Sequence, residues 1–171
     1  SWTRWTGAVD HYEVKDGVMT YKKGGQGGNL FTAGTYADFA LRFEFKLPPS
    51  GNSGIGIMGT YEIQVLDSFN NKTYADGQAG ALYGLNPPLV NASRGPGQWQ
   101  TYDIVFEAPR FEDGKLIKPA YVTLFHNGVL VQLTEPIHGE VAHRAVPEYR
   151  TKVSKGPLAF GGHGCPVRCR T

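Results

Sequence analysis

The segment Tyr61-Glu62-Ile63-Gln64-Val65-Leu66-Asp67 concentrates more potential chemistry than any other stretch of the chain. Successive side chains of a strand point to opposite faces, so Glu62 and Gln64 share one face while Ile63 and Val65 fill a core on the other. Leu66 continues the face of Glu62. Asp67 falls on the core face unless the strand ends or bulges there, which would return it to the side of Glu62. Two carboxyl groups held near one another on an open sheet form the pair that glycoside cleavage commonly uses. Polar residues on a solvated strand face are also routine, so the segment needs partners from elsewhere.

The run Gly161-Gly162-His163-Gly164-Cys165-Pro166-Val167-Arg168 offers them. Glycines on both sides of His163 open the imidazole to a ligand, and histidine exchanges a proton near neutral pH. Arg168 could hold negative charge developing on oxygen. A third group, Asn52-Ser53 within Pro48–Ile55, would bring an amide and a hydroxyl to the end of the Glu62 strand if the two strands pair; both residues also suit a Gly-rich turn. Tyr83, Trp99, Tyr102, Trp2 and Trp5 could present flat faces to sugar rings. Most aromatics of a sandwich are core instead, and Trp99 and Phe106 are assigned there. His11, His126, His138 and His143 show no metal-ligand spacing, so no metal or cofactor is expected, and His126 reads as a packed or surface residue.

These residues must be positioned by strands, because no apolar run at helical spacing lasts long enough for a helix. Tyr12–Val14 and Val18–Tyr21 flank the turn Lys15-Asp16-Gly17 as a hairpin, and Leu30–Thr32 follows a Gly-rich loop. Phe39, Leu41, Phe43, Phe45 and Leu47 alternate with Arg42, Glu44 and Lys46, which predicts a long half-buried strand. Further strands are predicted over Gly54–Met58, Tyr61–Leu66, Ala81–Tyr83, Trp99–Phe106, Ala120–His126 and Val129–Leu133, with Asn127-Gly128 as the hairpin turn. Leu158–Phe160 and Val167–Cys169 read as closing strands, after an irregular Thr134–Lys155 whose length suggests function. About a dozen strands without crossover helices predict one domain over 1–171, two packed antiparallel sheets.

Composition agrees. Of the 171 residues 40% are hydrophobic and 19% charged, with 23 Gly and 11 Pro at short intervals, as a globular chain of many turns requires. A net charge of +2 with scattered Lys and Arg argues against a nucleic-acid partner, and the apolar runs are too short for a transmembrane helix. Cys165 and Cys169 could bridge locally only if a turn at Pro166 brings them together; separate free thiols are the alternative. The sequons at Asn71 and Asn91 permit glycosylation without requiring it.

The E-x-Q-x-x-D spacing is similar to the E-x-D-x-x-E strand of laminarinase-type β-glucanases, with Gln64 and Asp67 replacing two of the acids. Over nearly its whole length the chain resembles the 3-keto-disaccharide hydrolase domain family. The resemblance runs through Gly28-Asn29-Leu30, Leu41–Pro49, Gly51–Ile55, Tyr61–Asp67, Gly80–Gly84, Val90–Arg94, Trp99–Ile104, Asn127–Val129, Gly156–Leu158 and His163-Gly164. It implies a concanavalin A-like jelly-roll sandwich, exported to the periplasm or outside the cell, acting on glycosides oxidised at carbon 3. On that reading His163 or Glu62 is the base, Arg168 and Asn52 are oxyanion donors and Asp67 is a second acid. Ser53, Gln64, Tyr83 and Arg94 join Asn52 as substrate contacts. The alternatives are a carbohydrate-binding module without turnover and a subunit of an extracellular assembly. Two departures stand out. Phe160-Gly161-Gly162 replaces the family's Leu-Gln-Asp, removing an acid that could orient His163. After Arg168 the family's aromatic and Arg-Asn are replaced by Cys169-Arg170-Thr171, so the last strand is expected to be short and to leave an edge open for self-association.

Overall fold

The structure, a computed structural model, describes residues 5–22, 28–141 and 146–170. Its strands in chain order are β1 (Trp5–Gly7), β2 (Tyr12–Lys15), β3 (Val18–Tyr21), β4 (Gly28–Thr32), β5 (Phe39–Lys46), β6 (Asn52–Ile57), β7 (Tyr61–Leu66), β8 (Trp99–Glu107), β9 (Arg110–Glu112), β10 (Lys115–Lys118), β11 (Ala120–His126), β12 (Val129–Ile137), β13 (Leu158–Gly162) and β14 (Arg168–Arg170). Only two single-turn 3-10 segments, Val9–His11 and Ala75–Gly77, interrupt this pattern among the described residues.

The strands form a five-stranded sheet, β1-β4-β13-β6-β7, and a seven-stranded sheet, β12-β11-β8-β5-β14-β3-β2, with β9 and β10 as a separate hairpin. Every pairing is antiparallel. The alternation in β5 is obeyed where it matters most: Phe43 and Phe45 are buried and Arg42 faces out. Across the sandwich, β5 and β8 pack against β13 and β7. Phe43 meets Phe160 at 5.2 Å between ring centres, and Phe106 meets Tyr61 at 5.9 Å. This is the aligned sheet-on-sheet core of a concanavalin A-like sandwich.

Asn127 and Gly128 take φ values of 53° and 80°, the left-handed pair that a two-residue hairpin needs. Three expectations are corrected. Ala81–Tyr83 is not a strand of its own; Leu82 makes isolated bridges to Ile63 and Asn86. The stretch from Thr134 is not irregular from its start, since β12 continues through Pro136 to Ile137. Proline is tolerated there because β12 is an edge strand. The short closing strand β14 is not at an edge either. It is hydrogen-bonded between β3 and β5, inside the larger sheet.

The two cysteines are free. Cys169 is buried, and burial pushes its thiol well above the usual range, whereas Cys165 is partly exposed. The sulfur of Cys165 accepts from Asn52 N at 3.2 Å and its thiol donates to Asn52 O at 2.9 Å, fastening the 163–166 turn to the start of β6.

Candidate active site

The outer face of the five-stranded sheet carries the hollow in which the chemistry collects. Register sets its geometry. Phe31 on β4 stands opposite Ala159 on β13, Ala159 opposite Gly56 on β6, and Gly56 opposite Glu62 on β7. Asn29 opposite Gly161 begins a second row, and Gly161 lies against Gly54. The floor is therefore Gly54, Gly56, Ala159 and Gly161. Phe31 and Asn29 rise on one side, Glu62 on the other. The hollow measures about 300 Å³, enough for a small sugar, and His163, Thr60 and Val141 complete its rim.

Glu62 owes its position to the missing side chain at Gly54. A Cβ there would collide with Oε1 of Glu62, so glycine is what lets the carboxyl lie across the neighbouring strand. Burial against the sheet raises the Glu62 pKa by disfavouring the charged form. His163 comes from the exposed turn after β13 and faces the same hollow from its solvent side. Asn29 reaches over Gly161, placing an amide opposite the carboxyl. Gly28-Asn29-Leu30 was visible as a segment of family resemblance, but no spacing in the sequence tied Asn29 to Glu62. Only the strand order does.

The other expected site residues fall elsewhere. Arg168 is on the outer face of the opposite sheet, in a different hollow. Asp67 lies just past β7, where its Oδ2 accepts from Ser50 N at 2.9 Å and closes the Pro48–Gly51 turn. Asn52 shares the outward face of β6 with Gly54, but it is tied through its backbone to Cys165, and its Oδ1 is enclosed without a partner among the described residues. Ser53 is fully buried and donates to Gly161 O at 2.6 Å, joining β6 to β13. Gln64 is covered: its Nε2 donates to Gly77 O at 3.2 Å and pins the 75–82 loop over the free edge of β7. Arg94 donates through Nη1 to Trp99 O at 3.1 Å, at the far sheet.

Tyr83 stays close. Its N–H donates to Glu62 O at 3.0 Å, and its hydroxyl pairs with that of Tyr74 at 2.9 Å. That hydrogen bond, with partial burial, pushes the Tyr83 pKa up to about 12.

Among the remaining aromatics, Tyr102 and Phe106 are core and Trp5 packs against it. Trp99, assigned to the core, is instead half-buried on the outer face of the seven-stranded sheet. Trp2 and His143 lie outside the described residues. Asn71 is exposed, whereas the Asn91 amide donates to Ser68 O at 2.7 Å and its carbonyl accepts from Ser93 N at 3.1 Å.

Among solved structures, the chain is similar to a candidate glycosyl hydrolase from Parabacteroides distasonis, with 35% identity, a TM-score of 0.88, and coverage of 98% of this chain and 76% of that one. A second candidate glycosyl hydrolase of that organism matches at 21% identity and TM-score 0.74, covering 100% of this chain and 87% of its own. The carbohydrate-binding module CBM66 of Bacillus subtilis shares the fold at 13% identity and TM-score 0.52, covering 99% of this chain and 93% of that one. No curated protein matches the sequence. The family of 3-keto-alpha-glucoside-1,2-lyase-like domains matches residues 1–171. Fold and sequence thus agree, and this chain belongs to the 3-keto-alpha-glucoside-1,2-lyase-like family of carbohydrate-active domains.

Proposed function

We propose that the domain cleaves 3-keto-glycosides by elimination across C1 and C2 followed by hydration, with Glu62 and His163 as the proton-transfer pair. The observation that carries this reading is their convergence, from different elements, on one hollow with a floor of glycine and alanine. A ketone at C3 acidifies the hydrogen on C2. Glu62 takes that proton, and the C2–H electrons form the enolate. The C1–O bond then breaks, and His163 protonates the departing oxygen. Water adds to the unsaturated ketone to restore the saturated ring.

A carboxylate poorly solvated over the sheet is a stronger base than one in water, which suits it to a carbon acid. His163, on the solvent side, can be reprotonated between turnovers. The Asn29 amide takes the place proposed from sequence for Arg168 and Asn52, donating to the enolate oxygen. Tyr83 holds the Glu62 strand through its backbone N–H, which donates to Glu62 O. Carbohydrate is the partner, and a domain acting on oxidised sugars fits a role outside the cytoplasm.

The test is direct. With a 3-keto-disaccharide, the wild type should release free sugar and exchange the C2 hydrogen with deuterated water. Glu62→Gln and His163→Ala should each slow release about a hundredfold or more. Release no faster than that of the double variant would reject the reading. Saturable sugar binding without release would make the domain a binding module.

A further inference from the structure

We infer that the outer face of the seven-stranded sheet carries a second sugar site, selective for a carboxylate-bearing oligosaccharide and independent of turnover at Glu62. Arg168 takes no part in the proposed reaction. In the sheet, Arg168 stands directly opposite Lys46 on β5 on one side and Thr20 on β3 on the other. Like charges placed directly opposite across an antiparallel pair have Cβ atoms about 5 Å apart and repel. No carboxylate pairs with either cation among the described residues. One row along the same strands the pattern is complementary: Arg170 stands opposite Glu44, and the two form an ion pair at 2.5 Å. The sheet therefore satisfies one row of charge and leaves the next row short of an anion.

That unsatisfied pair borders real space. A hollow of about 420 Å³ extends from Lys46 and Arg168 over the face, with Trp99 at one end and Glu13 and Asp16 at the other. A second hollow of about 300 Å³ continues from the same two cations toward Pro48, Gly97 and Pro166. Lys46 Nζ lies 5.1 Å and the Arg170 guanidinium carbon 4.2 Å from the Trp99 ring centre, so both cations lean on the indole. From the strand of Trp99 to that of Glu13 the face crosses four strand spacings, about 19 Å, a length for an extended chain and not for a lone ion.

The mixed lining selects the ligand class. Cations at the middle would take a carboxylate, while Glu13 and Asp16 at the end can accept hydroxyl hydrogen bonds. A polyanion without hydroxyl donors would meet those two acids with repulsion and no compensating hydrogen bond. A chain of hydroxyl-bearing rings with one carboxylate per ring meets both demands.

Calorimetric titration of the whole chain with trigalacturonate, cellotriose and a short oligothymidylate tests this. Trigalacturonate should bind saturably, at least about tenfold tighter than either of the others, and more weakly as salt rises. Lys46→Ala and Arg168→Ala should each weaken it about tenfold or more, and Glu62→Gln, on the other sheet, should leave it unchanged. Lys46→Glu gives a second readout without ligand. The introduced carboxylate pairs with Arg168, so thermal stability should rise while trigalacturonate binding disappears. Equal affinity for cellotriose, tighter binding of the oligothymidylate, unaltered binding by the two alanine variants, or no stabilisation from Lys46→Glu would overturn the inference. Loss of release from a 3-keto-disaccharide bears only on the other face.

Discussion

Glu62 is held in a place where its charge is costly, and both its reactivity and its effect on stability follow from that. Its folded pKa is raised, so the folded state keeps the proton more tightly than the unfolded state does. Stability attached to this group is therefore greatest at low pH and is lost as pH rises through the folded pKa. Glu62→Gln should raise the unfolding midpoint at neutral pH, and the gain should fade toward acid, which thermal melts of both proteins across pH will show. The same shift sets the acid limb of catalysis. With Glu62 as base, kcat/KM should rise with pH around a midpoint above the 4.5 of an ordinary glutamate. Gly54 supplies a sharper test of position. Its φ is not in the left-handed region, so Gly54→Ala strains no backbone; it only expels the carboxyl from its bed. Kinetics should show kcat/KM down about a hundredfold with the fold intact by circular dichroism.

At the scale of elements, the free edge of β7 is closed by a loop held from both sheets. Gln64 donates to Gly77 O from β7, while Gln132 on β12 donates to Gly80 O at 3.0 Å and Pro87 O at 3.1 Å. Both amides are buried, so removing one strands carbonyls away from water. Gln132→Leu should cost about 2 kcal/mol in chemical denaturation and loosen Tyr83 beside Glu62. Nothing in the sequence marks these glutamines as loop anchors, and Gln64 looked like a sugar contact because alternation alone puts it on the face of Glu62. Alternation shows which face a residue takes and is blind to what later covers that face. The same physics explains what was legible. The strict period-two pattern located β5, and Asn127-Gly128 located the hairpin turn between β11 and β12. Strand order was not legible, since it depends on long-range pairing. That is why Arg168, five residues from His163 in sequence, lies on the opposite sheet, while Asn29, far away in sequence, shares its hollow.

At the scale of the molecule, the core contains one group that should make the whole sandwich sensitive to acid. His126 is fully buried at the end of β11, its ring 4.8 Å from that of Tyr102 and 6.0 Å from that of Phe45. Its Nε2 is 2.8 Å from Gln100 Oε1, which also accepts from Arg94 N at 2.9 Å. A carbonyl oxygen only accepts, so Nε2 carries the proton, and Nδ1 is left enclosed without a partner among the described residues. Burial first, then the Arg94 charge, lowers the His126 pKa to about 4. The unfolded chain, titrating near 6.5, takes up the proton before the folded chain does. Stability is therefore intact above that value and drains away as pH falls toward 4, by up to about 3 kcal/mol. His126→Phe keeps an aromatic in the cluster and leaves Gln100 Oε1 its bonds from Arg94 N and Asn127 Nδ2. Denaturant unfolding of both proteins at intervals across this range isolates the histidine from the surface carboxylates, which titrate alike in each. The wild type should lose stability relative to His126→Phe as the medium is acidified, and parallel curves would show that the buried ring is already protonated or that solvent reaches it.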